Sequence, residues 1–201
     1  MSHIPPIILA SQSPRRAELL GRLGLDFQIV PSEVDESFVD HEMPADHTER
    51  LAREKALRVG LDSPGTLVIG ADTIVLLDSD VLGKPRDEEE AVSMLLRLQG
   101  REHEVFTAVA VAMEHRCESA LERVRVKFRS LERFECERYV STGEPMDKAG
   151  GYGIQGFGSA LVEEIHGDYF AVMGLPVVKT LELIRRFGFQ YAFRGLEATG
   201  S

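Results

Sequence analysis

Thr66 to Leu77 reads TLVIGADTIVLL, and Asp72 is the one ionisable residue in that apolar run. An unpaired carboxylate is expensive to bury, so an aspartate here pairs with a cation, binds a metal or lines a cleft. Satisfaction by backbone at a strand break is the plain alternative. Lys55 falls inside the helical pattern of Leu51, Ala52, Ala56 and Val59, which points it inward, although lysine stems also lie along apolar surfaces. Lys84 and Arg86 in GKPRD add cations on what also reads as a solvated loop. In SQSPRR (11–16) a strand delivers the chain to a helix start, where unpaired N–H groups and the dipole favour an anion. Arg15 and Arg16 carry the wrong sign for that dipole. They suit a polyphosphate or carboxylate, with two solvated arginines as the alternative. Glu33, Asp35 and Glu36 offer the oxygens a hard divalent metal takes, and surface acidity accounts for them nearly as well.

Residues 150–158 hold five glycines, which let backbone approach a ligand closely. Lys148 stands just before them, and Gln155 is the segment's one amide. GYGIQG formally matches GxGxxG, but it precedes strand-like residues late in the chain instead of opening a helix, so a dinucleotide fingerprint is rejected.

These residues need elements to position them. Ile7–Ala10 reads as a strand, and Ser13 and Pro14 then suit the N-cap and first position of a helix stopped by Gly24. A short strand is expected at 27–30 and a helix through 51–59. The β-rich run 66–77 is expected to be interrupted at Gly70-Ala71-Asp72 and to turn at 78–80. Asp87 and Glu90 are spaced to cap a helix over 88–98. Strands follow at 104–113 and 121–128, then a helix at 132–141. Residues 161–172 read as a strand pair turned at His166-Gly167-Asp168, followed by a helix over 175–187 and a loosely held tail from 188 to 201. The pattern is a mixed α/β fold with a central curved sheet, one domain over 1–201.

The 201 residues include 33 acidic and 23 basic side chains, a net charge of −10. That balance argues against a nucleic acid polymer as partner, and a small anion would need a local cluster of cations or a divalent metal. The apolar stretch around 105–113 is too short to span a membrane, and the N-terminus lacks the basic region of a signal peptide. Cys117 and Cys136 read as reduced thiols of a cytoplasmic protein, and no histidine spacing suggests zinc.

Taken together, ILASQSPRR (8–16), VDES (34–37), LAREKA (51–56), IGADTIV (69–75), GKPRD (83–87), KAGGYGIQG (148–156) and VMGLPV (172–177) resemble the Maf-like nucleoside triphosphate pyrophosphatases. The resemblance implies a two-lobed fold akin to inosine triphosphate pyrophosphatases, with the active site in the cleft. It implies Mg²⁺- or Mn²⁺-dependent hydrolysis of a free nucleoside triphosphate to monophosphate and pyrophosphate, by a homodimer. Asp72 is then the general base, Ser11, Arg16, Lys55 and Lys84 surround the phosphates, and Glu33 with Asp72 serves the metal. Lys148 joins the cations of the cleft. Arg15, Thr73 and Gln155 match the specificity positions of the dTTP/UTP subgroup, and modified pyrimidine nucleotides are further candidates. Relatives acting on 7-methyl-GTP carry Trp in place of Arg15 and Glu in place of Gln155. A house-cleaning or cell-division role follows. The alternatives are a 7-methyl-GTP pyrophosphatase and a non-catalytic nucleotide-binding regulator of septum formation.

Overall fold

The computed structural model describes residues 4–199, so residues 1–3 and 200–201 of the expected domain lie outside the described residues. The elements run β1 (Ile7–Leu9), α1 (Pro14–Arg22), β2 (Phe27–Ile29), α2 (Pro44–Leu61), β3 (Leu67–Leu77), β4 (Asp80–Leu82) and α3 (Glu88–Leu98). They continue with β5 (Glu102–Met113), β6 (Arg116–Phe128), α4 (Arg133–Val140), three short 3₁₀ turns between 144 and 160, β7 (Val162–His166), α5 (Tyr169–Met173), α6 (Val177–Arg186), β8 (Phe189–Tyr191) and β9 (Leu196–Ala198). The fold is mixed α/β. Seven strands form one sheet in the order β2-β1-β3-β5-β6-β7, with β4 also on β3. β1 is parallel to both β2 and β3, whereas β4 and β7 pair antiparallel with β3 and β6. Among the described residues no helix is long and apolar enough to cross a membrane.

The chain forms two compact units. The first comprises residues up to Asp72, Thr107–Glu122 and the part from Gly174 onward. Leucines such as Leu9, Leu19, Leu51 and Leu183 are fully buried in it, but part of α2 packs in a small-residue cluster: Ala52 and Ala56 share it with Ala10, Val68, Ala108 and Ala110. Alanine on both surfaces lets a helix lie close to a sheet, and Gly70 marks the limit of that approach. A Cβ there would sit 2.4 Å from the Ala52 carbonyl oxygen and 2.7 Å from the Ala56 nitrogen. The glycine is thus a packing requirement, and β3 runs unbroken through the segment where an interruption was expected.

The second unit comprises Thr73–Phe106 and Arg123–Met173. Its core includes Leu77, Leu95, Val126, Phe128 and Tyr152. Asp87 caps α3 as its spacing predicts, accepting a hydrogen bond from the Glu90 nitrogen at 2.8 Å.

Three further expectations give way. α2 begins at Pro44, well before the apolar spacing that starts at 51, because its first turns bury polar His47 and Thr48, and the Thr48 hydroxyl donates to the Pro44 carbonyl. The expected strand pair over 161–172 is strand β7 followed by helix α5. The Asp168 carboxylate accepts from the Phe170 nitrogen at 2.8 Å and starts that helix. The predicted loose tail contains the β8–β9 pair, and the Tyr191 hydroxyl donates to the Leu23 carbonyl.

Candidate active site

The first unit contains six of the candidate residues: Ser11, Arg15, Arg16, Glu33, Lys55 and Asp72. Ser11 follows β1 directly and is buried, and Arg16 on the first turn of α1 donates to its Oγ at 3.0 Å and to the Gly174 carbonyl at 2.7 Å. Ser13 has the extended backbone of an N-cap but makes no side-chain cap bond; its own N–H donates to Ser11 Oγ. Burial strips water from the Arg16 guanidinium and lowers its pKa, an effect opposed by the negative charge of Asp72. Arg15 is half-buried on the same turn.

Lys55 and Asp72 meet. Both are 7% exposed, and Lys55 Nζ lies 2.7 Å from Asp72 Oδ1. The same ammonium lies 2.6 Å from Glu36 Oε1, so two carboxylates converge on one buried cation. The pairing follows from the elements: α2 is pressed onto β3 at Gly70, which sets Lys55 one turn beyond Ala52 opposite Asp72.

The three carboxylates of the acidic loop are used differently. Glu36 reaches Lys55. Asp35 accepts from the Ser37 nitrogen at 2.9 Å, and that bond holds its carboxyl below the usual range. Glu33 is exposed to solvent. Composition alone could not separate the three.

A clamp on α2, which the sequence did not suggest, fixes this loop. Arg50 donates from Nε to Glu42 Oε1 at 2.6 Å and from Nη2 to the Ser37 carbonyl at 3.0 Å. His47 Nδ1 lies 2.9 Å from Glu42 Oε2, and the His47 ring stacks on Phe38 with centroids 3.5 Å apart. The hydrogen bonds from Arg50 drive the Glu42 carboxyl down to about 2. The sequence signal that could have found the clamp is two polar residues three apart on one turn of a helix.

The remaining candidates belong to the second unit. Thr73 and Gln155 are half-buried, and Lys84 is exposed. The turn bearing Lys84 is tied to the glycine-rich loop by a hydrogen bond from the Gly150 nitrogen to the Gly83 carbonyl at 3.0 Å. Lys148 donates to the Glu144 carbonyl and pairs with Asp147 Oδ1 at 2.6 Å. Beneath the loop, the Tyr152 hydroxyl lies 2.7 Å from His103 Nε2, and burial pushes that imidazole down to about 4. His103 is therefore neutral near pH 7.

Comparison with known proteins adds the following. The family model described as Maf-like protein matches residues 6–187. A dTTP/UTP pyrophosphatase of Symbiobacterium thermophilum is 50% identical over 183 residues, covering 91% of this chain and 94% of its own. A protein of that name from Methylobacillus flagellatus is 50% identical over 187 residues, covering 90% and 92%. Another, from Aquifex aeolicus, is 45% identical over 179 residues, covering 89% and 94%.

Proposed function

The chain belongs to the Maf-like protein family, and on that premise we propose that it hydrolyses dTTP and UTP to the monophosphate and pyrophosphate. The observation that carries the reading is the buried Asp72–Lys55 pair, set in a chain that matches dTTP/UTP pyrophosphatases across about nine-tenths of its length.

Asp72 takes the proton of the water that attacks the α-phosphorus, and the bond to the bridging oxygen breaks to release pyrophosphate. Lys55 holds the aspartate in one orientation, so no reorganisation is needed when the water arrives. The leaving group gathers negative charge. Arg16, Lys55, Lys84 and Lys148 offset that charge, and the Ser11 hydroxyl donates to a phosphate oxygen. Arg15, Thr73 and Gln155 are assigned to the nucleoside. A carboxamide both donates and accepts, which matches the imide edge of uracil and thymine, whereas a carboxylate only accepts.

Mg²⁺ or Mn²⁺ takes hard oxygen donors and is commonly held by one or two carboxylates together with substrate phosphates and water. Asp72 and Glu36 provide such a pair on one ammonium, and Glu33 lies in the same loop as Glu36. Among the described residues no group of three or more His, Cys, Asp or Glu side chains is arranged to hold a metal. The donor set fits an ion that arrives with the triphosphate. When bound, it neutralises phosphate charge and polarises the phosphoryl group. A cytoplasmic homodimer acting on free nucleotides completes the reading.

Pyrophosphate release from a panel of triphosphates tests it. UTP and dTTP should be preferred over purine nucleotides, and Asp72→Asn should lower the rate by about 10²–10⁴-fold. Preferential turnover of 7-methyl-GTP, or full activity in that variant, overturns the assignment.

A further inference from the structure

The loop that carries Gln155 is secured by two side chains that no part of the reaction above employs. Glu144 Oε1 accepts from the Tyr139 hydroxyl at 2.9 Å and from the Gly158 nitrogen at 3.0 Å, while Oε2 accepts from the Phe157 nitrogen at 2.9 Å. The Tyr139 oxygen in turn accepts from the Gly153 nitrogen at 3.0 Å. Gln155 is therefore bracketed. Two residues before it, the backbone hangs on a phenol; two and three residues after it, on a carboxylate.

Backbone amides bound to a carboxylate are charge-assisted and directional, so they fix φ and ψ where apolar contacts alone would let a glycine-rich segment wander. The glycines show that the latch and the loop are built for each other. A Cβ at residue 156 would stand 2.5 Å from Glu144 Oε2. At residue 158 it would stand 2.0 Å from the Gly153 carbonyl oxygen and 2.8 Å from the Tyr139 hydroxyl. Only bare backbone fits around the two side chains. Tyr139 is nearly buried, and burial raises its pKa, so the phenol stays protonated and donates to Glu144.

We propose that Tyr139 and Glu144 are positioning residues that hold the Gln155 amide in the orientation needed to discriminate pyrimidine from purine bases. This rests on the reading of Gln155 as a base-contacting group. Loss of the latch leaves the phosphate chemistry in place and blurs the choice of base. The effect belongs in KM and in the ratio of kcat/KM values for UTP and GTP, with kcat for UTP little changed.

Tyr139→Phe keeps the ring in the core and removes only the hydroxyl, so it is the first variant. Glu144→Gln, which keeps one acceptor, should be milder than Glu144→Ala. Amide hydrogen exchange at Gly153, Phe157 and Gly158 should accelerate in Tyr139→Phe with the rest of the protein unaffected. The UTP/GTP ratio should fall about tenfold, the scale of one hydrogen bond to a charged group. In a Gln155→Ala background, Tyr139→Phe should lower the ratio no further, because the route runs through that amide. Unchanged exchange at the three amides overturns the latch. A full additional drop in the Gln155→Ala background overturns the route through Gln155. If the wild-type protein turns over no pyrimidine triphosphate, the functional reading and the selectivity role fall together, and the exchange experiment still decides the latch on its own.

Discussion

Residues 33–43 and residues 148–158 are both irregular segments that carry candidate ligands, and they are immobilised by opposite means. The acidic loop is held mainly by side-chain charges reaching from α2: Lys55 to Glu36, Arg50 to Glu42, and His47 between them and Phe38. The glycine-rich loop is held by two side chains grasping backbone N–H groups. The first arrangement demands charge and tolerates Cβ atoms almost anywhere. The second demands bare backbone at chosen positions. A loop that must present a carboxylate to a cation can be fixed by other charges, whereas one that must come close to a ligand is better fixed through its amides.

The largest effect that separates the two regions is expected from Lys55→Met. It leaves Asp72 buried without its cation and should cost about 3–5 kcal/mol in urea unfolding, with Lys55→Met/Asp72→Asn recovering part of the loss. A cost well under 1 kcal/mol would mean the charges hold little. Next comes Gly158→Ala, whose methyl group meets the Gly153 carbonyl oxygen. The same assay should show about 1–3 kcal/mol of destabilisation and faster amide exchange confined to the glycine-rich loop. Spread of that exchange to the acidic loop would blur the distinction drawn above.

The smallest effect at neutral pH is the response to acid, where the regions should part again. The Glu42 carboxyl sits at about 2 instead of 4.5, so its stabilising contribution is complete above pH 4.5 and drains as the pH falls towards 2. His103 beneath the glycine-rich loop sits at about 4 instead of 6.5. Between those values the unfolded chain binds the proton more readily, so stability declines as pH drops from 6.5 to 4 and is flat above. Unfolding midpoints measured from pH 7 to 3 should show both declines, and Glu42→Gln should flatten only the lower one.

Much of this was legible in the residues. An aspartate isolated in an apolar strand run and a lysine inside an apolar helical pattern each mark a charge to be accounted for, and the structure joins the two. The helix starts at Pro14 and after Asp87 are written in local chemistry, and local chemistry is what a single sequence displays well. Long-range selection is not. Nothing in Glu33, Asp35 and Glu36 says which of them reaches Lys55, because the choice depends on how the loop is pinned by Arg50. The Tyr139–Glu144 latch was hidden for a related reason: its partners are backbone amides, which every residue but proline possesses. Gly70 carries the sequence mark of a strand break because a glycine that yields room to a neighbouring helix leaves the same mark as one that ends a strand.

That glycine also has an evolutionary reach. Every amino acid replacement at position 70 adds at least a Cβ, and the nearest obstacle is helix backbone, which no rotamer change can move aside. Gly21 and Gly83 face open space and are free to drift. Lineages descending from this chain can therefore vary at positions such as 21 and 83. Position 70, two residues before Asp72, offers no such path, since a step away from glycine would part the helix from the strand that its lysine serves.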